Sequence, residues 1–212
     1  MGRIAAILAL IVLAAACQSN THAVFSPPPS PSPHSAPTAA ILQPADIPSG
    51  LNVCIGSGPV DVYVSSLAGI DGNLAARVGA EWKRLRLEGA TGAAISVYTV
   101  NAQACDAELG LAPAATAKSI SSFVVSFADS GEADRAWESG ILGFRPPAPG
   151  ELLSGVTSGT ATGLGLSSWI YDQTPVRLGS WHKSVFVALV AAGHLDLTSF
   201  KTATAAVDAR LD

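Results

Sequence analysis

Charged residues are scarce in this sequence, and basic residues are not in excess among them. Asp, Glu, Lys and Arg together make up 13% of the 212 residues, and the formal net charge at pH 7 is −4. A surface that binds nucleic acid needs Lys and Arg to neutralise phosphates, so this composition argues against a nucleic-acid partner. Hydrophobic residues make up 49% of the chain, which excludes a chain that is disordered throughout.

Common catalytic and cofactor motifs are also missing. The glycine-rich stretch Gly159–Gly165 lacks the Lys-Ser/Thr pair of a P-loop and leads into a predicted strand rather than a helix. We interpret it as a turn before that strand. In Gly155–Gly159 the serine stands one position too late for the nucleophile elbow of hydrolases. The acidic residues do not follow the pattern of a calcium loop, and we expect neither a metal nor another cofactor.

Histidine, the usual general base of a hydrolase, is scarce in the part of the chain that is expected to fold. Only His182 and His194 are available there. Either one could act as a base beside Ser180, Asp172 or Asp196, but the spacing does not separate a catalytic role from that of surface histidines. We favour the surface interpretation.

The longest hydrophobic run stands at the N-terminus. It extends from Ile4 to Ala16 behind the positive charge of Arg3, and it is shorter than the roughly 20 residues that a membrane-spanning helix needs. This pattern is typical of the core of a signal peptide. We therefore predict that residues 1–16 direct export and are then removed.

The end of this run, Leu13-Ala14-Ala15-Ala16-Cys17, resembles the lipobox of bacterial lipoproteins. The resemblance implies cleavage before Cys17 and attachment of lipid, with acyl chains such as palmitate, to that cysteine. Two acyl chains would hold the protein at the cell membrane, facing the extracytoplasmic side. A cut by ordinary signal peptidase after Ala16 is the alternative.

The number of cysteines also bears on whether Cys17 carries lipid or the signal peptide is cut in the ordinary way. The chain has three cysteines, Cys17, Cys54 and Cys105. If Cys17 carries lipid, the other two form an even pair in an oxidising compartment, and we predict that they form a disulfide. A reactive thiol or a metal pair is the competing interpretation, which is weaker because neither cysteine has a histidine or a further cysteine nearby in sequence.

Residues 17–40 are rich in Ser, Pro, Thr and Ala, with Ser26–Pro33 at their centre. Proline removes amide donors and this segment lacks apolar side chains, so we predict a disordered, extended tether between membrane and domain. A proline-rich ligand for the aromatic groove of a partner is the alternative. The tether is favoured because Lys and Arg do not flank the proline run.

Residues 41–212 have the length of a single domain, and hydrophobic periodicity predicts its helices. Apolar residues recur at helical spacing from Leu74 to Leu85, which predicts an amphipathic helix that ends at Gly89. From Val60 onward a helix is favoured over a strand. Further helices are expected near residues 104–109, after the capping residue Asp129, and after Asp196 or Thr198.

Stretches rich in β-branched and aromatic residues predict the strands. Ala93–Val100 and Ser119–Phe127 precede a meander with hairpin tips expected at Gln173–Pro175 and His182–Lys183. We predict an α+β fold, with an antiparallel sheet, helices packed on one face, and a strand meander followed by a C-terminal helix. The strands of the meander are expected at residues 167–172, 176–181 and 184–191.

The second half of the domain resembles many uncharacterised lipoproteins of actinobacteria and similar high-GC bacteria. The resemblance implies a strand, a helix, a strand meander and a C-terminal helix behind a lipid anchor. It rests on packing residues, so it brings no catalytic residue with it. The stretches that carry it are 123–137, 163–169, 181–187 and 205–211.

Four residues on adjacent predicted strands are the candidate ligand-binding residues: Trp169, Tyr171, Trp181 and His182. The aromatic side chains could line a cleft between the sheet and the helices, with core packing as the alternative. Our leading hypothesis is a non-enzymatic surface lipoprotein that binds a small apolar molecule, a lipid, a wall component or a partner protein. The alternatives are an accessory or sensory subunit that docks on a membrane complex and a hydrolase that uses His182 or His194.

Overall fold

The computed structural model describes residues 35–100, 105, 117–151 and 153–211. All described residues belong to one compact unit, residues 33–212. The predicted signal peptide, Cys17, most of the tether and the helix expected near residues 104–109 lie outside the described residues.

An antiparallel sheet of eight strands organises the described part of the chain, and the α+β class is confirmed. Its strand order is β1-β3-β4-β8-β7-β6-β5, and β2 also pairs with β3. The elements, in chain order, are α1 (Pro37–Ala40), β1 (Asn52–Val53), β2 (Gly58–Pro59), α2 (Val60–Ala68), α3 (Gly72–Leu87), β3 (Ala90–Thr99), β4 (Ser119–Phe127), α4 (Ser130–Ser139), β5 (Val156–Ser158), β6 (Ser168–Gln173), β7 (Val176–Lys183), β8 (Phe186–Gly193) and α5 (Leu197–Asp208).

Capping side chains begin the longer helices where the sequence places them. Asp71 accepts hydrogen bonds from the Asn73 and Leu74 N–H groups at the start of α3. Asp129 caps α4 through the Glu132 N–H, as predicted, and Asp196 rather than Thr198 caps α5. These carboxylates satisfy N–H groups that have no partner within the helix.

Helices cover both faces of the sheet, whereas the sequence pattern predicts helices on one face only. Ile95, Phe123 and Leu189 are in register and define the first face, which packs against α2, α3 and α4. Ala94 and Val124 belong to the second face, which packs against α1 and α5. The reason lies in β8, whose eight residues are all buried. A strand that is apolar on both sides needs cover on both sides.

The β7–β8 hairpin also differs from expectation. His182 and Lys183 belong to β7, and the turn is formed by the next two residues, Ser184 and Val185. Ser184 adopts a positive φ of 55°, which a tight turn requires. The other tip is confirmed, because Thr174 and Pro175 connect β6 to β7.

The Cys54–Cys105 disulfide is confirmed, with its Cα atoms 5.6 Å apart. It joins the segment after β1 to the segment after β3 across a sequence separation of 51 residues. Closing a loop of this length restricts the unfolded chain and stabilises the fold by about 4 kcal/mol in the chain-entropy account.

The folded part begins before residue 41, because α1 and the residues after it pack on the second face. The Leu42 N–H donates to Ser122 Oγ at 2.9 Å, and the Tyr98 hydroxyl donates to the Leu42 carbonyl at 3.1 Å. Arg210, beyond α5, binds both carboxylate oxygens of Asp46 at 2.7 and 2.8 Å. The contacts of Leu42 thus fix this segment to strands β3 and β4, and the Asp46–Arg210 ion pair fixes it to the residues after α5.

We expect the Asp46–Arg210 ion pair to make stability depend on pH. Burial alone would raise the pKa of the Asp46 carboxyl, but hydrogen bonds from Arg210 and the Gln43 N–H outweigh burial and hold that pKa below its ordinary value. A group with a lowered folded-state pKa stabilises the fold above its unfolded pKa of about 3.9, and this contribution is lost as the pH falls through the folded-state pKa.

Asp46→Asn should therefore lower the free energy of unfolding at pH 7 by about 1 kcal/mol and flatten its decline below pH 4. Urea unfolding of both proteins from pH 2 to pH 7 measures this difference. Arg210→Gln, which removes the same ion pair from the other side, should give a similarly flattened curve. If the free energy of unfolding falls equally steeply with decreasing pH in the wild type and in Asp46→Asn, the lowered pKa of the Asp46 carboxyl is contradicted.

Candidate functional site

Residues 140–151 and 153–155 lie on the first face of the sheet beside α4, over strands β6 and β7. We call this segment the covering loop. Gly140 begins it with a φ of 90°, and a Cβ there would lie 2.7 Å from the Phe144 carbonyl oxygen. Ile141 and Phe144 exchange backbone hydrogen bonds of 2.9 Å in each direction. The loop therefore begins with a tight, hydrogen-bonded turn.

An ion-pair network on α3 holds this first turn. Arg84 binds the carboxylates of Glu81 and Glu88 at 2.7 Å and donates to the Gly140 carbonyl at 2.7 Å. Glu81 also accepts from the Leu142 N–H at 2.7 Å. The hydrogen bond to Glu81 raises the pKa of Arg84 above its usual range, which is the effect expected of an ion pair that favours the charged guanidinium.

A second set of contacts holds the far end of the covering loop to β6. The Tyr171 hydroxyl donates to Gln173 Oε1 at 2.7 Å, and Gln173 Nε2 donates to the Ser154 carbonyl at 3.0 Å. Gly155 lies against this side chain, since a Cβ at that position would be 2.7 Å from Gln173 Cγ. Both ends of the loop are thus tied to the sheet or to α3.

A cleft remains between the covering loop and the sheet. It consists of two adjoining cavities of about 340 Å³ each, which share Pro147, Leu153 and Val156 as lining residues. This size is near the lower end of the range for small-molecule pockets. The first cavity is also lined by Gly143, Phe144, Arg145, Trp169, Tyr171 and Leu178, and the second by Ala148, Pro149, Gly150, Glu151 and Ser158.

The cleft is lined mainly by apolar and aromatic side chains. Trp169 and Leu178 form a small buried cluster with Ala191, against which Trp137 and Phe144 also pack. Trp169 is 5% exposed and its Nε1 is buried, so its indole presents ring carbons to the cleft. A surface of this kind favours apolar ligands over strongly hydrated ones.

The structure separates the four predicted ligand-binding residues. Trp169 and Tyr171 line the first cavity. Trp181 is completely buried among the residues of the second face. It pairs with Ser168, one residue before Trp169, and neighbouring residues of a strand point to opposite faces. Trp181 is therefore a core residue and not part of the cleft.

His182 lies on the first face but does not line either cavity of the cleft. Its Nδ1 is 3.3 Å from Asp134 Oδ1 on α4, and its Nε2 is 2.7 Å from the Ser184 carbonyl oxygen. Both ring nitrogens thus face acceptors. The Nδ1 contact joins α4 to the end of the β7–β8 hairpin, and the Nε2 contact lies within the turn of that hairpin.

The two aspartates considered as partners of a histidine base have other contacts. Asp172 forms an ion pair with Arg177 at 2.8 Å, and Asp196 caps α5 through the Ser199 N–H. His194 follows β8, at the opposite end of the hairpin from His182, so the two histidines do not belong to one site.

Sequence reasoning missed the residues that the covering loop contributes, notably Phe144, Pro147 and Leu153. In the sequence, the proline-rich stretch Pro146–Gly150 predicts only a loop that breaks the chain between two elements. Leu153 is 47% exposed, and an apolar residue in such a loop was the one signal that could have indicated a cover over the sheet.

A second depression of about 570 Å³ lies between the C-terminal end of α3 and α4, and it is larger than either cavity of the cleft taken alone. Its lining includes Arg86, Glu88, Glu132 and Arg135, which carry charges of both signs. Such a mixed polar surface is typical of a solvated groove between helices rather than a pocket for an apolar molecule.

Within the described residues, His, Cys, Asp and Glu do not come together in any group of three or more that could hold a metal ion. None of the helices in the same part of the chain combines the length and hydrophobicity needed to cross a bilayer. Comparisons of this chain with protein-family models, with curated proteins and with solved structures found no match.

Proposed function

We propose that this protein is a non-enzymatic, lipid-anchored binding module whose cleft holds a small apolar molecule on the extracytoplasmic side of the membrane. The observation that carries the proposal is the cleft between the covering loop and strands β5–β7. Its lining is mainly apolar, and both ends of the loop are fixed by hydrogen bonds to α3 and β6. A preformed cleft avoids the entropic cost of ordering a loop when a ligand binds.

The anchor is supported by the sequence and by the disulfide. A signal-peptide core precedes Cys17, and the bond between Cys54 and Cys105 leaves Cys17 as the remaining cysteine of the chain. Disulfides of this kind form in oxidising compartments, as export would provide. The proline-rich tether would then hold the domain away from the bilayer.

The contacts of His182 favour a binding role over hydrolysis. A general base needs a ring nitrogen that faces the proton it will remove. In His182 one nitrogen faces the Asp134 carboxylate and the other faces a backbone carbonyl, so its geometry suits a structural bridge.

A second candidate function is that of a subunit that docks on a membrane protein. Apolar side chains are left exposed at the β1 edge of the sheet, where Val53 is 56% exposed and Ile55 is 82% exposed. Exposed apolar surface of this kind favours a protein contact. The probe experiment below separates the two candidates, because a docking subunit does not require a ligand in the cleft.

Replacing Cys17 with serine should abolish lipid attachment and release the protein from the membrane fraction. The N-terminal peptide of the wild-type protein should carry the mass of acyl chains, and that of Cys17→Ser should not. Ser19→Ala, a neutral change in the tether, serves as the control and should remain in the membrane. A wild-type N-terminus at Cys17 without added mass would contradict the anchor and favour an ordinary signal-peptidase cut.

A neutral fluorescent probe, N-phenyl-1-naphthylamine, should bind the unit Pro33–Asp212. This unit contains the sheet, the hydrophobic clusters on its two faces and the disulfide, so it has its own core. Leu153→Glu should weaken binding at least tenfold, because a carboxylate in an apolar cleft is costly to desolvate. Fluorescence titration measures the affinity.

Leu166→Glu is the matched control, because Leu166 is 82% exposed and lies outside both cavities. It should bind the probe like the wild type. If Leu153→Glu also binds like the wild type, or if the wild type does not bind the probe, the cleft is not the binding site and the docking role is favoured.

A further inference from the structure

Two residues of opposite charge lie at the cleft, Arg145 in the first cavity and Glu151 in the second. The Glu151 carboxylate is engaged within its own loop, since its Oε2 accepts from the Ala148 N–H at 2.9 Å. Arg145 is exposed and takes part in none of the ion pairs or side-chain hydrogen bonds formed among the described residues. Glu151 keeps its negative charge, but it lines only the second cavity. In the part of the chain that the structure describes, Arg145 is the one charged residue that lines the first cavity, beside Trp169 and Leu178. The charge that a ligand in the first cavity meets is therefore positive.

The backbone of Arg145 is held in place although its side chain reaches solvent. Gly140 packs against it so closely that a Cβ on Gly140 would lie 2.9 Å from Arg145 Cβ. The preceding residue, Phe144, is fixed by its backbone pair with Ile141 and lines the same cavity. The guanidinium thus extends from a fixed point beside the apolar lining.

We infer that the ligand of this cleft is an amphiphile, with an apolar body and a carboxylate or phosphate head that pairs with Arg145. This inference rests on the proposed function and specifies its ligand class. The body would lie among Trp169, Leu178 and Leu153, where transfer from water is favourable. The planar guanidinium can donate two parallel hydrogen bonds to either kind of head.

The depression between α3 and α4 lacks this combination. Its Arg86 lies over the Trp82 ring, 5.9 Å from the ring centroid, and Glu88 is paired with Arg84. Arg135 lines the same depression together with Glu132, so its charge is offset locally. Arg135 is therefore a suitable control for an arginine that lies outside the proposed site.

The test compares four octyl compounds by titration calorimetry with the unit Pro33–Asp212: octanoate, octyl phosphate, octanol and octyltrimethylammonium. Both anions should bind about fivefold more tightly than octanol, as an ion pair at the protein surface allows, and the ammonium compound should bind most weakly. The advantage of the anions should shrink at high salt, because an exposed ion pair is screened.

Arg145→Gln should lower the affinity for both anions to that of octanol and leave octanol binding unchanged, whereas Arg135→Gln should bind all four compounds like the wild type. If octanol and the anions bind equally well, or if Arg145→Gln keeps the preference for anions, the inference of an anionic head that pairs with Arg145 is wrong. The proposal that the cleft binds apolar molecules is unaffected by either result. If neither the octyl compounds nor N-phenyl-1-naphthylamine bind, the proposed function itself fails. The tighter of the two anions identifies the head group.

Discussion

The first face of the sheet is broader than the helices that pack on it, and the features of the candidate site follow from this mismatch. Helices α2, α3 and α4 cover strands β3, β4 and β8, while Trp169 on β6 and Leu178 on β7 belong to a separate cluster that the helices cover only in part, through Trp137 of α4. Trp169 and Leu178 need cover from water, which the covering loop supplies together with Trp137. A loop packs less completely than a helix, and the space that it leaves is the cleft.

The covering loop is positioned by polar contacts rather than by a core of its own. At one end Arg84 joins α3 to the Gly140 carbonyl, and at the other Gln173 joins β6 to the Ser154 carbonyl. Charge-assisted hydrogen bonds of the first kind are among the stronger polar contacts in proteins. They allow a proline-rich segment to keep a defined shape over an apolar surface, which is what a preformed binding cleft requires.

The elements of the fold could be predicted from local sequence signals, while the arrangement of faces could not. Asp129 and the periodicity from Leu74 to Leu85 predict helices correctly because caps and amphipathic stripes are local properties. Trp169 and Trp181 look equivalent in sequence, yet strand register places one in the cleft and the other in the opposite core. A shift of one residue in register exchanges the two faces of a strand. That information depends on pairing between distant segments.

The most direct test of the central claim uses the indole N–H signals of the tryptophans in ¹H–¹⁵N spectra, each assigned by a Trp→Phe variant. On titration of the unit Pro33–Asp212 with N-phenyl-1-naphthylamine, the Trp169 signal should shift progressively to saturation. The Trp181 signal should stay in place, because Trp181 lies in the core of the opposite face. An unchanged Trp169 signal at probe saturation, or a shift of the Trp181 signal alone, would contradict the account.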